Sequence, residues 1–367
     1  MNSSRTKILF LIPSLAAGGA ERVIVNLLRH LDSSKFVLVL AVVNMRSAVF
    51  LEDVPDNVEL IDLGCTRVRF AIFKIIHLIW TIRPNVLFST LGHLNLLLAI
   101  LKPLMPKNIR YFCRETTILS EGVKTYPNSH YWVWGYKHFY NRFDKIICQS
   151  KYMRDDLKEH FGVLPDKLVV INNPVDIERV RHLATELVVT KAVVSGGNNS
   201  KVINLVSAGR MVKVKGFDLL IEALALNGNP DIHLTLLGDG PLKEELQALA
   251  KTRGVEQQVH FVGYQKNPYS FIAQADAYVL SSRFEGFPNV VLESLACGTP
   301  VIATPAVGGT KEILEGMEGC LLTNNVSAEA LAEALSSFVF GKRLSPELIK
   351  PYAIDRIVNL YEQQFLL

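Results

Sequence analysis

Short apolar runs alternate with amphipathic stretches along nearly the whole chain. Residues 7–12, 36–43, 58–61, 85–89, 109–113, 145–149 and 168–171 are apolar runs of strand length. Between them, residues 20–31, 70–81, 93–102, 129–143 and 151–161 carry helical spacing. Strands separated in this way by helices predict parallel βαβ units. Asn172-Asn173-Pro174 interrupts the series, and a polar stretch with Ser195-Gly196-Gly197-Asn198-Asn199-Ser200 predicts a linker over 174–201. A second series follows: strands at 202–207, 232–237, 259–262, 275–280 and 301–303, with helices from Phe217 and over 241–253. The pattern predicts an α/β protein of two doubly wound, Rossmann-like domains, 1–173 and 202–353, facing each other across a cleft. A final helix, 354–367, is expected to return to the first domain.

The densest chemistry lies between Arg283 and Thr304, RFEGFPNVVLESLACGTPVIAT. The layout is strand, turn, helix, strand, so the turn lies beyond the carboxyl end of a strand, where open α/β sheets bind ligands. Pro288 suits the first helical position and Gly298 the stop. The N–H groups of Asn289, Val290 and Val291 are then expected to be unpaired at a positive helix end, which favours phosphate. Glu285 sits on the turn, and Glu293 lies on the face of Asn289, one turn deeper. A carboxylate at Glu293 can accept from a pair of hydroxyls such as a ribose diol; the plainer reading is a glutamate that favours the helix dipole.

Three further loops carry candidate contacts. Gly209-Arg210-Met211-Val212-Lys213-Val214-Lys215-Gly216 follows a strand, and the fork of Arg210 with the point charge of Lys215 suits a diphosphate. Two cations on a loop can equally be solvated. Gly238-Asp239-Gly240-Pro241 permits close backbone approach. Gly18-Gly19 sits between the first strand and the first helix, where a helix N-terminus can face phosphate. His93 follows a strand and opens a helix, as a ligand contact or as a partly buried helix-start residue.

Composition narrows the classes. The chain has 367 residues, 49% hydrophobic and 20% charged, enough for two cores and against extensive disorder. Five scattered cysteines form no CxxC pair, which argues against a disulfide framework or zinc site and points to a reducing cytosol. The net charge of +4 is uneven: 22 Lys/Arg face 14 Asp/Glu through residue 172, and 17 face 21 after it. No dense basic cluster or nucleic-acid motif accompanies the basic half, so an anionic membrane surface or a phosphorylated substrate fits better than nucleic acid. The opening MNSSRTKILFLIPSLAAGGAER resembles a signal peptide, yet its apolar run is short and broken by Pro13, and a buried first strand is expected. The apolar run 94–101 is far below the ~20 residues that span a bilayer. Aromatic residues crowd 130–140, and Arg67, Arg69 and Lys74 flank the apolar stretch 70–80; both are rivals between core and interfacial or acceptor-binding surface.

The ordered set Gly18-Gly19-Ala20-Glu21-Arg22, GRMVKVKGFD, LLGDGP, HFVGY, EGFPNVVLESLACGTPVIAT and VGGTKEIL resembles the nucleotide-sugar-dependent retaining glycosyltransferases of family four, of bacterial surface-polysaccharide type, which have the GT-B fold. The resemblance spans nearly the whole chain and is most specific in the second half. It implies that Glu285 holds the transferred sugar, Glu293 the ribose hydroxyls, and Arg210 and Lys215 the diphosphate. It also implies that Gly209 belongs to the donor loop, and that backbone N–H groups of Phe287, Pro288, Asn289 and Val290 (Pro288 lacking one) line the sugar and phosphate. Gly18 and Gly19 would approach the diphosphate, His93 would stand near the sugar, and Tyr264 near the base. The segment Arg114-Glu115-Thr116-Thr117 fits an acceptor-side loop only loosely. No metal or other cofactor is implied, and there is no DxD pair in a suitable loop.

The expected activity is retaining transfer of a hexose or N-acetylhexosamine from a nucleotide diphosphate sugar, UDP-linked, to a glycan or polyprenyl-linked glycan acceptor. The setting implied is O-antigen, capsule or lipopolysaccharide assembly on the inner face of the cytoplasmic membrane, with the protein peripheral on an anionic surface. Two other classes fit the same scaffold: a nucleotide-sugar epimerase, and a non-catalytic nucleotide-binding, membrane-associated protein.

Overall fold

Residues 5–46, 48–186 and 202–367 are described by the computed structural model of the chain. The polar stretch from Ser195 to Ser200, expected as part of a linker, lies outside the described residues. The chain divides into two units, Met1–Pro174 with Ile354–Leu367, and Val175–Ala353.

The first unit is a seven-stranded parallel sheet in the order β3-β2-β1-β4-β5-β6-β7. Its strands are β1 (Thr6–Ser14), β2 (Phe36–Asn44), β3 (Glu59–Asp62), β4 (Val86–Thr90), β5 (Arg110–Arg114), β6 (Lys145–Cys148) and β7 (Leu168–Val170). Alternate residues of a strand point to opposite faces. In β1, Ile8, Phe10 and Ile12 enter one core and Leu9 and Leu11 the other, so both faces are covered and the run reads as continuously apolar. One face packs on the helices Gly19–His30 and Ile354–Leu366. The other packs on Ile72–Ile82, Gly92–Leu101, Ser129–Phe139 and Lys151–Phe161.

The final helix is held in this unit by Tyr361 and Phe365, which are fully buried. Phe365 meets Phe88 edge-on at 5.6 Å, and Glu362 pairs with Lys35 at 2.8 Å. Each buried aromatic contributes roughly 1.5–3 kcal/mol of transfer free energy, enough to fix a helix distant in sequence.

The second unit is a six-stranded parallel sheet in the order β10-β9-β8-β11-β13-β15, with a separate short pair β12-β14. The strands are β8 (Ile203–Ala208), β9 (Ile232–Leu237), β10 (Val259–Gly263), β11 (Ala277–Leu280), β12 (Phe284–Glu285), β13 (Val301–Ala303), β14 (Val307–Gly308) and β15 (Leu321–Leu322). Strand order reverses between β1 and β4 in one unit and between β8 and β11 in the other. Such switch points open a crevice beyond the strand ends.

The chain departs from the expected layout in places. Ile177–Ala184, inside the stretch expected as linker, is a helix of the second unit, capped by the Asp176 carboxylate accepting from the Arg179 N–H at 3.0 Å. Its Ile177, Val180, Leu183 and Ala184 join the second unit's core, and this burial holds the segment as structure. The aromatic helix ends at Phe139 and tightens into a 3-10 turn over Tyr140–Arg142. Tyr269–Gln274 and Ala328–Ser337 are helices without a counterpart in the pattern reading.

Candidate functional site

In the second unit the loops after β8, β9 and β10 are stitched by backbone. The Gly209 N–H donates to Leu237 O, Gly238 N–H to Gly263 O and Met211 N–H to Asp239 O, at 2.8 to 2.9 Å. The approach admits no side chain: a Cβ on Gly238 would lie 2.0 Å from Gly209 O. The loop then turns back at Lys213–Lys215 and reaches the end of β11. There the Arg283 N–H donates to Val214 O at 2.8 Å, and Ser281 Oγ to Lys215 O at 3.0 Å. The Arg283 guanidinium grips both Asp218 oxygens, at 2.8 and 2.7 Å. Partial burial opposes the charge on Asp218, but the bonds from Arg283 and Lys213 outweigh it and pull its pKa to about 2.

This stitching brings Lys215 and Glu285 together. Lys215 Nζ donates to Glu285 Oε1 at 2.7 Å, and Ser282 Oγ donates to the same oxygen at 2.6 Å. Ser282 is itself held, its carbonyl accepting from Thr304 Oγ1 at 2.6 Å. The aliphatic stem of Lys215 runs over Gly209, whose Cβ position is 3.5 Å from Lys215 Cε. Arg210 is exposed on the same loop and has no side-chain partner among the described residues.

The turn after Glu285 differs from expectation in detail. Pro288 is the residue before the helix, with ψ of 103°, and Asn289–Ala296 is helical. Proline therefore fixes the entry to the helix from the capping position. The Val291 N–H is not free as expected: it donates to Pro288 O at 3.1 Å, a tight first turn. Phe287 is buried with its ring tilted against Tyr352 at 5.6 Å, so its side chain faces the core rather than a ligand. Val290 is half-buried against the core. Glu293 is buried on the helix's inner side, where Tyr269 Oη lies 3.3 Å from its Oε1. Tyr264, directly after β10, is half exposed.

In the first unit, Gly18 precedes the helix Gly19–His30, which starts one residue earlier than the pattern predicts. A Cβ on Gly18 would lie 2.2 Å from Glu21 Oε2, because this carboxylate folds back over the turn, where Ser14 Oγ donates to Oε1 at 3.3 Å. Burial raises the Glu21 pKa against the opposing pull of backbone, Ser14 and Arg114. His93 opens the helix Gly92–Leu101, and although it reaches solvent, desolvation by the surrounding chain lowers its pKa.

At the end of β5 lies a group that the sequence reading used only loosely. Arg114 and Glu115 are both fully buried. Glu115 Oε1 accepts from Asn95 Nδ2 at 2.8 Å and from the Tyr140 hydroxyl, and Arg114 donates to Asn173. Ser89 Oγ donates to Asn95 Oδ1 at 2.8 Å, and Gln149 Nε2 to Glu115 O at 2.7 Å. Burial pushes the Glu115 carboxyl up to about 7, beyond what Tyr140, Asn95 and Arg114 take back. The one sequence signal was an Arg-Glu pair at the end of an apolar strand.

Two family models match the chain, Glycosyltransferase Family 4 over residues 17–179 and Glycosyl transferases group 1 over residues 189–353. The chain is a family 4-type glycosyltransferase. A Campylobacter jejuni protein, N-acetylgalactosamine-N,N'-diacetylbacillosaminyl-diphospho-undecaprenol 4-alpha-N-acetylgalactosaminyltransferase, is 29% identical over 92% of this chain and 91% of its own length. The lipopolysaccharide core biosynthesis glycosyltransferase LpsE of Rhizobium meliloti is 40% identical over a shorter stretch, 39% of this chain and 42% of LpsE. Among solved structures, Anabaena HepE in complex with UDP and glucose superposes with a TM-score of 0.79 at 19% identity, covering 99% of this chain and 100% of that one. WaaG, a glycosyltransferase involved in lipopolysaccharide biosynthesis, gives 0.68 at 16% identity over 98% and 94% of the two chains. These likenesses establish the GT-B architecture of the transferase, two parallel-sheet α/β domains.

Proposed function

We propose that this glycosyltransferase moves a hexose or N-acetylhexosamine from a UDP-linked sugar to a glycan carried on a lipid diphosphate, in the assembly of a cell-surface polysaccharide, with retention of anomeric configuration. The observation that carries the reading is the Lys215–Glu285 contact at 2.7 Å, beside the start of Asn289–Ala296. Arg210 and Lys215 oppose the charge that grows on the departing diphosphate, and preorganised cations of this kind lower the barrier because they need no reorientation. Glu285 holds sugar hydroxyls, Glu293 the ribose diol, and the first turn of the helix the remaining acceptors. Gly18 and Gly19 contact the diphosphate, His93 the sugar, and Tyr264 the base. The acceptor hydroxyl approaches on the face that the nucleotide leaves.

The lipid-linked acceptor is supported by the Campylobacter relative, whose name describes a diphospho-undecaprenol substrate. Among the described residues no helix is long and apolar enough to cross a membrane. We propose attachment to the inner face of the cytoplasmic membrane through the basic first unit, testable by sedimentation with anionic liposomes at low salt.

The decisive experiment is a screen of nucleotide sugars for thermal stabilisation, followed by incubation of the best binder with labelled acceptor and NMR of the product. Stabilisation by a UDP-sugar and a retained anomeric configuration are expected. An inverted product, or conversion of the donor to an isomer without acceptor, overturns the reading.

A further inference from the structure

The first unit contains a cavity of about 740 Å³ bounded by the ends of β1 and β2, the 3-10 turn Val68–Phe70 and the helix Gly92–Leu101. That volume is within the range of about 300–1,000 Å³ typical of small-molecule sites. Val43, Val68, Leu96, Leu97, Ile100 and Trp132 form its walls. Its polar lining comes from Ser14, Asn44, Thr66, Arg67, Arg69 and His93, of which the two arginines carry a fixed charge. Both arginines are exposed, neither makes an ion pair with the described residues, and the Arg69 guanidinium lies 4.9 Å from the Phe70 ring. Lys74, by contrast, has its ammonium engaged, donating to Leu63 O at 2.6 Å.

Apolar surface continues beyond the cavity. Ile100 is both lining and 42% exposed, and Leu104, one turn on, is 61% exposed. Phe70 and Phe73, which directly follow the arginine turn, are 60% and 85% exposed. Two guanidinium groups with no carboxylate partner among the described residues, one of them over the Phe70 ring, stand beside aliphatic walls and match a ligand with an anionic head and a branched hydrocarbon tail. A glycan alone would find no partners on Leu96, Leu97 and Ile100. A bilayer headgroup would meet the arginines but would leave the chamber unfilled, and unfilled apolar lining forfeits dispersion contacts.

We propose that this cavity holds the phosphate-proximal isoprene units of a polyprenyl diphosphate-linked acceptor, with Arg67 and Arg69 on its diphosphate. The assignment rests on the reading of the chain as a transferase acting on a lipid-linked glycan, and it names the part of the acceptor that the first unit grips. The same cavity reaches Ser14 and His93 at the switch point between β1 and β4, so the sugar end of such an acceptor leaves the cavity where the first unit's candidate contacts lie. Binding here is charge-assisted at the head and area-driven along the tail.

The test uses the full chain without any bilayer, titrated calorimetrically with farnesyl diphosphate, farnesol and inorganic pyrophosphate. Farnesyl diphosphate is expected to bind at least tenfold tighter than either fragment. The double variant Arg67→Glu/Arg69→Glu is expected to weaken it tenfold or more, and Leu97→Glu to abolish it. Both variants should retain thermal stabilisation by UDP, which reports folding and the second unit's site. The charge-reversal pair is on the surface, so it keeps the test decisive should Leu97→Glu fold poorly. Pyrophosphate binding as tightly as farnesyl diphosphate, unchanged binding in both variants, or binding only to anionic vesicles each overturns the assignment. Transfer to a soluble glycan without farnesyl diphosphate binding removes the cavity's role alone. Farnesyl diphosphate binding with no nucleotide-sugar turnover removes the transferase chemistry instead.

Discussion

Lys215 and Glu285, seventy residues apart, share one hydrogen bond of 2.7 Å, and Ser282 donates to the same carboxylate oxygen. The lysine is on the loop after β8 and the glutamate on the turn after β11, so the contact spans the second unit's switch point. The two side chains keep only 26% and 12% of their surface exposed, so desolvation offsets much of the attraction and the pair is weak evidence for stability. Its worth lies in placing a cation and an acid before any ligand arrives. Lys215→Ala and Glu285→Ala are each expected to lower turnover by about 10²–10³ while shifting the unfolding midpoint little. Steady-state kinetics beside urea denaturation check this; near-normal turnover in both variants would remove the pair from the site.

Gly216 ends the lysine loop with φ of +64°, and a Cβ there would lie 2.0 Å from Ser281 O. Both the left-handed backbone and the close approach require glycine. Gly216→Ala is expected to cost about 1–3 kcal/mol and to displace Lys215 from Glu285, so stability and turnover fall together. A variant of wild-type stability and activity would show that the loop position is not set by this approach.

The strand series was legible because parallel strands buried on both faces are continuous apolar runs, as in β1 and β2. The two-residue strands β12 and β14 were not, since two residues carry no period. Tyr269–Gln274 is a helix of six residues, too short for its spacing to stand out, and with it the Tyr269–Glu293 contact was missed. The helix Ile177–Ala184 was legible in principle, from Asp176 as a cap and apolar residues at 177, 180, 183 and 184, but the polar context read as linker. The charged stretch around Arg210 and Glu285 was readable as chemistry, whereas the Lys215–Glu285 contact itself depends on Gly216 and Arg283 folding one loop onto another. Arg114 and Glu115 read as loop residues because only tertiary partners, Asn95, Tyr140 and Asn173, make their burial tolerable.

The proposed chemistry assigns the diphosphate charge to Arg210 and Lys215. Turnover is therefore expected to persist in excess EDTA, and Arg210→Ala to weaken nucleotide binding more than tenfold, the loss of a charge-assisted hydrogen bond. Activity abolished by EDTA and restored by magnesium would show that a metal meets that charge.

Glu115 is expected to make stability depend on pH through one buried proton. Its side chain is fully buried, Oε2 is without a hydrogen-bond partner, and Oε1 takes the bonds from Asn95 and Tyr140. Desolvation raises its pKa from an ordinary value of 4.5 to about 7, with Tyr140, Asn95 and Arg114 opposing and Asp156 adding to the rise. The folded chain thus binds this proton more tightly than the unfolded chain. The stabilisation is complete below the unfolded value of 4.5, declines as pH rises above it, and is lost as pH passes about 7. The span corresponds to about 3 kcal/mol. Urea midpoints measured across that window should fall with rising pH in the wild type, and Glu115→Gln, which cannot titrate, should flatten the decline. Parallel profiles in the two proteins would mean that Glu115 titrates no differently when folded, and that its burial is relieved by partners other than Asn95 and Tyr140.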